Sequence, residues 1–296
     1  MAGTPTFAVS GGFLGTTRRE RDAPTVIAGI PVDIATTNRP GARFGPEAIR
    51  RASRMLVDGD HPTLRVDMTV GLSDIGNFEI ALGDVPETLA LIEAQAAKIG
   101  HLVALGGDHS IALPLLRALA KRIGPVGLVH FDAHVDTWPD SFGLKYGHGS
   151  CFFHAIEEGL VDPRRMIQIG IRSPVQKDVL AWTIDRGVTI VSAQDVHQRG
   201  VAEVAAQIRA VTGAAPAYLT FDIDALDPAF APGTGTPEIG GLATWQAQAL
   251  LRELKGVSFA GMDMVEVAPA YDHAEITSLA AATMVYEYLA LRPRMA

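Results

Sequence analysis

The chain has 296 residues, 48% of them apolar, and a formal net charge of −8. This length and apolar content can bury a large core, and the acidic balance argues against nucleic acid as a partner. No long apolar run suits a membrane span, the N-terminus lacks a signal-peptide pattern, and the one cysteine, Cys151, excludes an internal disulfide. These features predict a cytoplasmic protein, and its mildly acidic balance suits a cationic substrate.

Apolar runs alternate with helical patterns along nearly the whole chain, after residues 1–24, whose mixture of Gly, Thr, Pro and charge predicts an N-terminal arm outside the core. Strands are predicted, in chain order, at Thr25–Pro31, Met68–Leu72, His101–Leu105, Val126–Phe131, Met166–Ile171, Val188–Val191, Tyr218–Phe221 and Val257–Val267. Helices are predicted at Pro46–Met55, from Pro86 through Ile99, at Ile111–Ile123, at Cys151–Gly159, between the fifth and sixth strands, and at Val201–Val211, Thr244–Leu254 and Thr277–Leu291. Alternating strands and helices indicate βαβ units and a parallel sheet covered on both faces. The prediction is one α/β domain over residues 1–296 with about eight strands.

The most informative stretch follows the predicted fourth strand, where an apolar run ends in Asp132, His134 and Asp136. Because side chains alternate along an extended chain, these three share one face if the strand geometry continues past its end. Two carboxylates and an imidazole on one face are costly in a core and well suited to a divalent cation.

Two other predicted strands end in similar residues: His109 follows one of them, and Asp222 and Asp224 follow the other. Taken alone, the segment around His109 is typical of a turn with a helix-capping residue, and the two aspartates are typical of a solvated turn. Together the three strand ends supply six candidate ligands at the edge where open α/β sheets have their functional crevice. The six are His109, Asp132, His134, Asp136, Asp222 and Asp224.

Six ligands, four of them carboxylates, are too many for one four-coordinate zinc ion. They suit two ions that share bridging carboxylates. Oxygen-rich ligation with two imidazoles favours Mn²⁺, with Fe, Co, Ni and Zn as alternatives. Since two ions about 3.5–4 Å apart can hold and deprotonate a bridging water, the sequence predicts a hydrolase.

Two further residues are candidates for chemistry. His148 lies in a glycine-flanked loop, where it is either an ordinary surface histidine or a proton shuttle. Glu266 lies at the end of the predicted eighth strand, where a carboxylate would face the same crevice and could clamp a cation. Asp263 is the competing candidate for that clamp, although its position within the strand suits pairing with a neighbour.

With these residues in view, the chain resembles ureohydrolases of the arginase/agmatinase family from Ile30 to the closing helix. The matching segments are Arg39–Pro46, Gly106–Ser110, Phe131–Asp136, Thr220–Pro228, Pro232–Glu238 and Val265–Asp272. The resemblance implies a three-layer α/β/α sandwich around a mostly parallel sheet of about eight strands. It also implies cleavage of a guanidino compound to urea and an amine, and a homo-oligomer, either a trimer or a hexamer.

The resemblance further implies two Mn²⁺ ions per subunit. One would be held by His109, Asp132, Asp136 and Asp222. The other would be held by His134, Asp132, Asp222 and Asp224, so that Asp132 and Asp222 bridge the two ions.

The same resemblance implies catalytic roles for three residues. Asp136 would accept a hydrogen bond from the bridging hydroxide, His148 would be the proton shuttle, and Glu266 would bind the guanidinium group. In the implied reaction the hydroxide attacks the guanidinium carbon, and the leaving amine takes a proton by way of Asp136 or His148.

The loop from Thr137 to Tyr146 bears on the substrate. Arginases hold the amino-acid carboxylate with an Asn- and Ser-bearing loop at this place, and this loop lacks that pattern, which argues against arginine. Agmatine is the predicted substrate. A guanidino acid such as 4-guanidinobutyrate is the alternative, because Lys145 could meet a substrate carboxylate and Gly147 stands where agmatinases often carry an acid. An inactive regulatory paralogue is a remote alternative that predicts damaged ligands, whereas all six are present.

Overall fold

One sheet of eight strands lies at the centre of the structure, a computed structural model that describes residues 6–57 and 60–292. The strands are β1 (Thr25–Ile30), β2 (Leu72–Asn77), β3 (Leu102–Gly106), β4 (Val126–Phe131), β5 (Val161–Ile171), β6 (Thr189–Ser192), β7 (Ala217–Asp222) and β8 (Phe259–Val265). Their order across the sheet is β2-β1-β3-β8-β7-β4-β5-β6, and each neighbouring pair is parallel. The predicted fold class is confirmed.

Helices cover both faces of this sheet. They are α1 (Gly45–Ser53), α2 (Val85–Ala96), α3 (Ala112–Ile123), α4 (Cys151–Glu157), α5 (Lys177–Asp185), α6 (Ala193–Arg199), α7 (Val201–Thr212), α8 (Thr244–Glu253) and α9 (Ile276–Leu291). One layer consists of α1 and α6 to α9, and the other of α2 to α5. In the part of the chain that is described, no helix is long and apolar enough to cross a membrane.

The central strands are apolar almost throughout because both of their faces are buried. In β4, Val129 and Phe131 pack towards the layer of α6 to α9, whereas Val126 and Leu128 pack towards the layer of α2 to α4. This alternation is that of a parallel sheet between two helical layers. Polar side chains therefore have room mainly at the ends of the strands.

The second strand is displaced from its predicted position. The apolar run at Met68–Leu72 favoured a strand there, but β2 begins at Leu72 and carries the polar residue Asp74 into the interior. Arg50 of α1 neutralises that carboxylate: its Nε donates to Asp74 Oδ2 at 2.8 Å, and its Nη2 donates to Oδ1 at 3.0 Å. Both side chains are buried, and a buried charge is tolerated only when it is paired in this way.

Other boundaries differ at element ends. Helix α6 was not predicted, although Ser192 and Asp195 form a capping box that marks its start. Thr244 was predicted to cap α8, but it is the first helical residue, and Ala243 stands at the cap position. Strand β5 begins at Val161 rather than Met166, through a polar edge segment that an apolar pattern misses. The single domain over residues 1–296 stays a prediction, because residues 1–5, 58–59 and 293–296 lie outside the described ranges.

The prediction of an arm outside the core is wrong at Phe13 and Leu14, whereas residues 17–22 are exposed. Phe13 is fully buried, Leu14 is nearly so, and both pack into the same core as α1. The Phe13 backbone N–H donates to Asp74 Oδ2 at 2.7 Å, and the Leu14 backbone N–H donates to Ser53 Oγ at 2.8 Å. Composition missed this packing because two apolar residues among Gly and Thr give no periodic pattern. The first five residues of the predicted arm lie outside the described residues.

We expect Phe13→Ala to destabilise the fold by ~3–5 kcal/mol, because it removes a fully buried ring and leaves a cavity. Urea denaturation followed by circular dichroism measures the loss. Phe44→Ala is the matched control, since Phe44 is 64% exposed. If the two variants had equal free energies of unfolding, the Phe13 side chain would not contribute to the core, and the predicted arm would stand.

Candidate metal centre

The six candidate ligands arrive from three strands at the centre of the sheet. His109 opens a short 3₁₀ helix after β3, Asp132 follows β4, and Asp222 ends β7. Strands β3, β8, β7 and β4 are consecutive neighbours, so their carboxyl ends meet at one place. The expected continuation of strand geometry past Phe131 is wrong: β4 ends there, and Asp136 has a left-handed φ of 49°. The loop turns instead, and the turn brings Asp136 back to the other residues.

Three aspartates surround one nitrogen of His109. Its Nδ1 lies 2.9 Å from Asp136 Oδ2, 3.1 Å from Asp132 Oδ2 and 3.3 Å from Asp222 Oδ2. No hydrogen bond of normal geometry joins Nδ1 to any of them, although the atom is buried. A buried nitrogen between three carboxylate oxygens without a hydrogen bond fits a metal ligand better than a structural histidine.

The other nitrogen of His109 determines its tautomer. The Thr220 hydroxyl donates its one proton to Asp263 Oδ1 at 2.5 Å, so the same oxygen accepts from His109 Nε2–H at 2.8 Å. Neutral His109 then presents a lone pair at Nδ1, towards the aspartates. Lone pairs that face one another in a buried space require a cation between them. Asp263 itself pairs with a neighbour inside the sheet.

The second group shares Asp132 with the first. His134 Nδ1 lies 3.2 Å from Asp132 Oδ1 and 3.2 Å from Asp224 Oδ2. Backbone donors hold two of the carboxylates in place: Asp222 Oδ1 accepts from the Asp224 N–H at 2.9 Å, and Asp224 Oδ1 accepts from the Ala133 N–H at 3.1 Å. One oxygen of each carboxylate is therefore fixed by the chain, and the other faces the cluster.

The cluster concentrates negative charge in a buried space. Burial and the nearby carboxylates of Asp224 and Asp132 raise the pKa of Asp222 well above its ordinary value. Burial alone would lower the pKa of His134, but the carboxylates of Asp224 and Asp132 raise it to about 12. Both shifts have one physical cause, which is negative charge that lacks compensation. A His/Asp cluster of this kind can hold divalent metal ions, and two groups that share Asp132 suit two of them.

His148 and Glu266 contact each other beside the cluster. His148 Nδ1 lies 2.9 Å from Glu266 Oε1, which also accepts from the His109 backbone N–H at 2.8 Å. Burial alone would lower the pKa of His148, but the Glu266 carboxylate raises it to about 9. The other oxygen, Glu266 Oε2, is buried without a hydrogen-bond partner. This buried oxygen is an acceptor that the described residues leave unsatisfied.

The backbone at Glu266 is constrained. Glu266 has a φ of 65°, a left-handed conformation that is uncommon for a side chain of this size. Its N–H donates to the Gly107 carbonyl at 2.8 Å, which fixes the residue after β8 against the turn after β3. A Cβ on Gly107 would lie 2.2 Å from the Val32 carbonyl oxygen, so the close approach of Gly107 to Val32 needs glycine.

A cavity of about 460 Å³ opens above the cluster. It is lined by Thr37, His134, Asp136, Trp138, Asp140, Ser141, Phe142, His148, Gly149, Ser173, Pro174, Gln176, Asp222 and Thr236. The lining contains three aspartates but neither lysine nor arginine. Asp136 and Asp222 belong to the cluster, so Asp140 is the one carboxylate of the described lining that lies outside it. Glu266 lies behind the wall, in contact with His148.

The loop after Asp136 forms one side of the cavity mouth. Ser141 and Leu144 exchange backbone hydrogen bonds of 3.0 Å, which closes a tight turn whose tip, Phe142, is 97% exposed. Lys145 is not among the described lining residues, and its Nζ lies 5.0 Å from the centroid of the Tyr146 ring. A contact of this kind uses the lysine charge on an aromatic face.

Sequence reasoning missed three polar contacts around these residues. Thr37 contacts His148 Nε2, at 3.2 Å from its backbone N–H and 2.8 Å from its hydroxyl. His130 contacts Asp132, and Gln168 contacts His130. The position of His130 two residues before Asp132 was a usable signal, because alternate residues of a strand share a face. Thr37 and Gln168 gave no local signal, since each meets its partner through the tertiary fold.

Comparisons with known proteins agree with this geometry. The family model described as "Arginase family" matches residues 23–290. A protein named "Agmatinase" from Cronobacter sakazakii is 48% identical over 277 residues, which cover 91% of this chain and 88% of that protein. An "Agmatinase" from Salmonella typhi is 47% identical with the same coverage.

Two solved structures are closely similar. A hypothetical agmatinase from Burkholderia thailandensis has a TM-score of 0.91 and 41% identity, covering 97% of this chain and 92% of that one. Proclavaminate amidino hydrolase from Streptomyces clavuligerus has a TM-score of 0.91 and 37% identity, covering 97% and 98%. The chain belongs to the arginase family, which confirms the resemblance inferred from its motifs.

We expect Asp132→Ala to lose at least one bound ion and nearly all turnover, because Asp132 is the residue that the two groups share. Asp222→Ala is expected to behave similarly. Metal content after dialysis and the rate of urea release measure both effects. Asp178→Ala, at an exposed position in the first turn of α5, is the matched control. Two ions and full activity in either cluster variant would contradict this assignment.

Proposed function

We propose that this protein is a binuclear manganese hydrolase that cleaves agmatine to putrescine and urea. The observation that carries the proposal is the cavity above the His/Asp cluster, whose described lining holds Asp140 outside the proposed ligand sets and contains neither lysine nor arginine. Agmatine is cationic at both ends, so the Asp140 carboxylate can meet its ammonium end while the guanidinium lies at the cluster. The relatives named agmatinase, at 47–48% identity over 91% of the chain, support the same substrate.

The proposed ligand sets are the two that the family resemblance implies, and the structure places Asp222 beside His109 Nδ1. The first ion would be held by His109, Asp132, Asp136 and Asp222, and the second by His134, Asp132, Asp222 and Asp224. Four carboxylates and two imidazoles favour Mn²⁺ over a four-coordinate zinc site. When bound, two such ions lower the pKa of water and supply a nucleophile at neutral pH.

Glu266 is the proposed guanidinium-binding residue. Its Oε2 has no hydrogen-bond partner among the described residues, and its Oε1 is held by His148 and by the His109 backbone. A carboxylate fixed through one oxygen presents the other in a defined direction. A guanidinium N–H that donates to that oxygen would be oriented before attack, and the charge of Glu266 would stabilise the cationic carbon centre.

His148 is the proposed proton donor to the leaving amine, together with Asp136, which lines the same cavity. The raised pKa of His148, about 9, favours its protonated form at neutral pH. Thr37 also lines the cavity, and its hydroxyl lies 2.8 Å from His148 Nε2. Because the Thr37 backbone N–H donates to the same nitrogen at 3.2 Å, Nε2 carries a lone pair in the structure and is the atom at which His148 would take up and release the transferred proton.

A guanidino acid is the competing substrate class, and Lys145 was the residue that favoured it. The Lys145 ammonium lies over the Tyr146 ring, and the described lining residues include no lysine or arginine that could meet a substrate carboxylate. The carboxyl end of 4-guanidinobutyrate would instead meet Asp140 at the mouth, where like charges repel.

We further propose a cytoplasmic homo-oligomer, a trimer or a hexamer, on the basis of the family resemblance and the single unpaired cysteine. Sedimentation equilibrium of the metal-loaded protein distinguishes these assemblies from a monomer.

We expect His148→Asn to lower kcat for agmatine by 10²–10⁴-fold, the usual contribution of a positioned acid or base. Both metal ions and the fold should be retained, because His148 contacts Glu266 and Thr37 rather than the cluster carboxylates. Steady-state rates across pH 6–10 test this, with metal analysis alongside. His154→Asn is the control, since His154 binds the Lys145 carbonyl outside the cavity lining. An unchanged rate and pH profile in His148→Asn would return His148 to a structural role.

We expect kcat/KM to be highest for agmatine, lower for 4-guanidinobutyrate and lowest for arginine. A well-placed charge contact is worth about 1.5–3 kcal/mol, enough for tenfold or more in preference. Lys145→Ala should change these ratios little, because its ammonium contacts Tyr146. Urea release from the three compounds by wild type and variant is the measurement. A preference for guanidinobutyrate that collapses in Lys145→Ala would contradict the substrate and leave the hydrolytic assignment intact.

A further inference from the structure

His130 is a fully buried histidine on β4 that the proposed mechanism does not use. Its Nε2 lies 2.7 Å from Asp132 Oδ2, the same oxygen that approaches His109 Nδ1 at 3.1 Å. Its ring packs against Phe152 of α4, with a centroid separation of 4.4 Å. His130 therefore touches the residue that the two ligand groups share, from the side away from the cavity lining.

Position alone would allow His130 to be a further metal ligand, because it groups with His109, Asp132 and Asp136. The position of the ring proton decides whether His130 is a metal ligand or a hydrogen-bond donor. A ligand must present a lone pair at Nε2, whereas a donor must carry a proton there. The partner of the other ring nitrogen, Nδ1, settles which form is present.

Gln168 is that partner. It lies opposite His130 in the register of β4 and β5 and is fully buried. Its amide nitrogen lies 2.6 Å from the Val135 carbonyl oxygen, which can only accept, and 3.0 Å from His130 Nδ1. A flipped amide would place two acceptors, Oε1 and the Val135 oxygen, 2.6 Å apart.

The orientation of Gln168 fixes the proton of His130. Because the amide nitrogen donates to Nδ1, that nitrogen carries a lone pair, and the proton of the neutral ring is on Nε2. That proton is donated to Asp132 Oδ2. The chain of donors thus begins at the amide of Gln168, passes through His130 and ends at a carboxylate of the cluster. The remaining amide atom, Gln168 Oε1, is buried without a partner, so the pair retains one unsatisfied acceptor.

We propose that His130 is a positioning residue for the metal centre, and that Gln168 acts through it by fixing its tautomer. The proposal rests on the metal site proposed above. The Nε2–H bond holds the Asp132 carboxylate in one orientation, and Gln168 also binds the Val135 carbonyl, which lies between His134 and Asp136. Outer hydrogen bonds of this kind commonly change metal affinity 10–100-fold.

The test is titration of the metal-free protein with Mn²⁺ alone. His130→Phe keeps the ring beside Phe152 and removes the donor, and we expect its affinity for Mn²⁺ to fall 10–100-fold. His130→Gln places an amide N–H near the position of Nε2 and should recover most of the affinity. The absorption spectrum with Co²⁺ in place of Mn²⁺ gives a second readout. In His130→Phe a reoriented Asp132 should alter the spectrum, and in His130→Gln the spectrum should return to that of the wild type.

His101→Phe is the matched control. His101 is also a buried histidine, but it lies just before β3, at the amino ends of the strands and away from the cluster. There it contacts the Tyr288 hydroxyl. Its substitution should leave Mn²⁺ affinity and the Co²⁺ spectrum unchanged. If the Mn²⁺ affinity of His101→Phe fell as far as that of His130→Phe, the loss would reflect a general loosening of the fold, and the proposal would be overturned.

The outcomes separate this inference from the proposed function. A wild-type protein that binds no Mn²⁺ overturns both. A wild type that binds two ions and a His130→Phe variant that binds them equally well overturns only the role of His130. If His130→Phe fails to fold by circular dichroism, Gln168→Leu decides instead: weaker Mn²⁺ binding supports the positioning role of the Gln168–His130 pair, and unchanged binding overturns it.

Discussion

The constraint on which the structure depends is the burial of four carboxylates at the carboxyl ends of the central strands. The central strands are apolar on both faces, so their polar residues collect where the strands end. Four of those strands, β3, β8, β7 and β4, lie side by side, and their ends form a single space. Uncompensated charge in that space would oppose folding, and divalent cations remove the conflict. The stability of the edge and its chemistry thus have a common origin.

The carboxylates divide their two oxygens between folding and function. Asp222 and Asp224 each use one oxygen to accept a backbone N–H, which fixes the turns after β4 and β7. The second oxygen of each faces the cluster. Glu266 shows the same division, with one oxygen held by His109 and His148 and one without a partner. A site built this way is arranged before substrate arrives, so less reorganisation is needed during reaction.

The sequence was informative where a residue's position along its own strand decided the result. Residues after β3, β4 and β7 could be placed at one edge, because parallel strands end together. It was less informative where partners come from different elements: Asp74 needs Arg50 of α1, and Gln168 reaches His130 only through the register of β4 and β5. Phe13 shows the same limit, because its burial depends on helix α1 rather than on its sequence neighbours.

The turn closed by Ser141 and Leu144 separates two kinds of change. It lies between Asp136 and His148, yet the two backbone hydrogen bonds that close it are internal, and its tip, Phe142, is exposed to solvent. Insertions or replacements at that tip can reshape the cavity mouth, whereas Asp132, Asp222 and Asp224 are held at or just after the strand ends. Relatives with different substrates can therefore diverge at this turn while they share one reaction centre. Substitutions at the exposed turn should therefore be tolerated more readily than substitutions at the strand ends that hold the cluster.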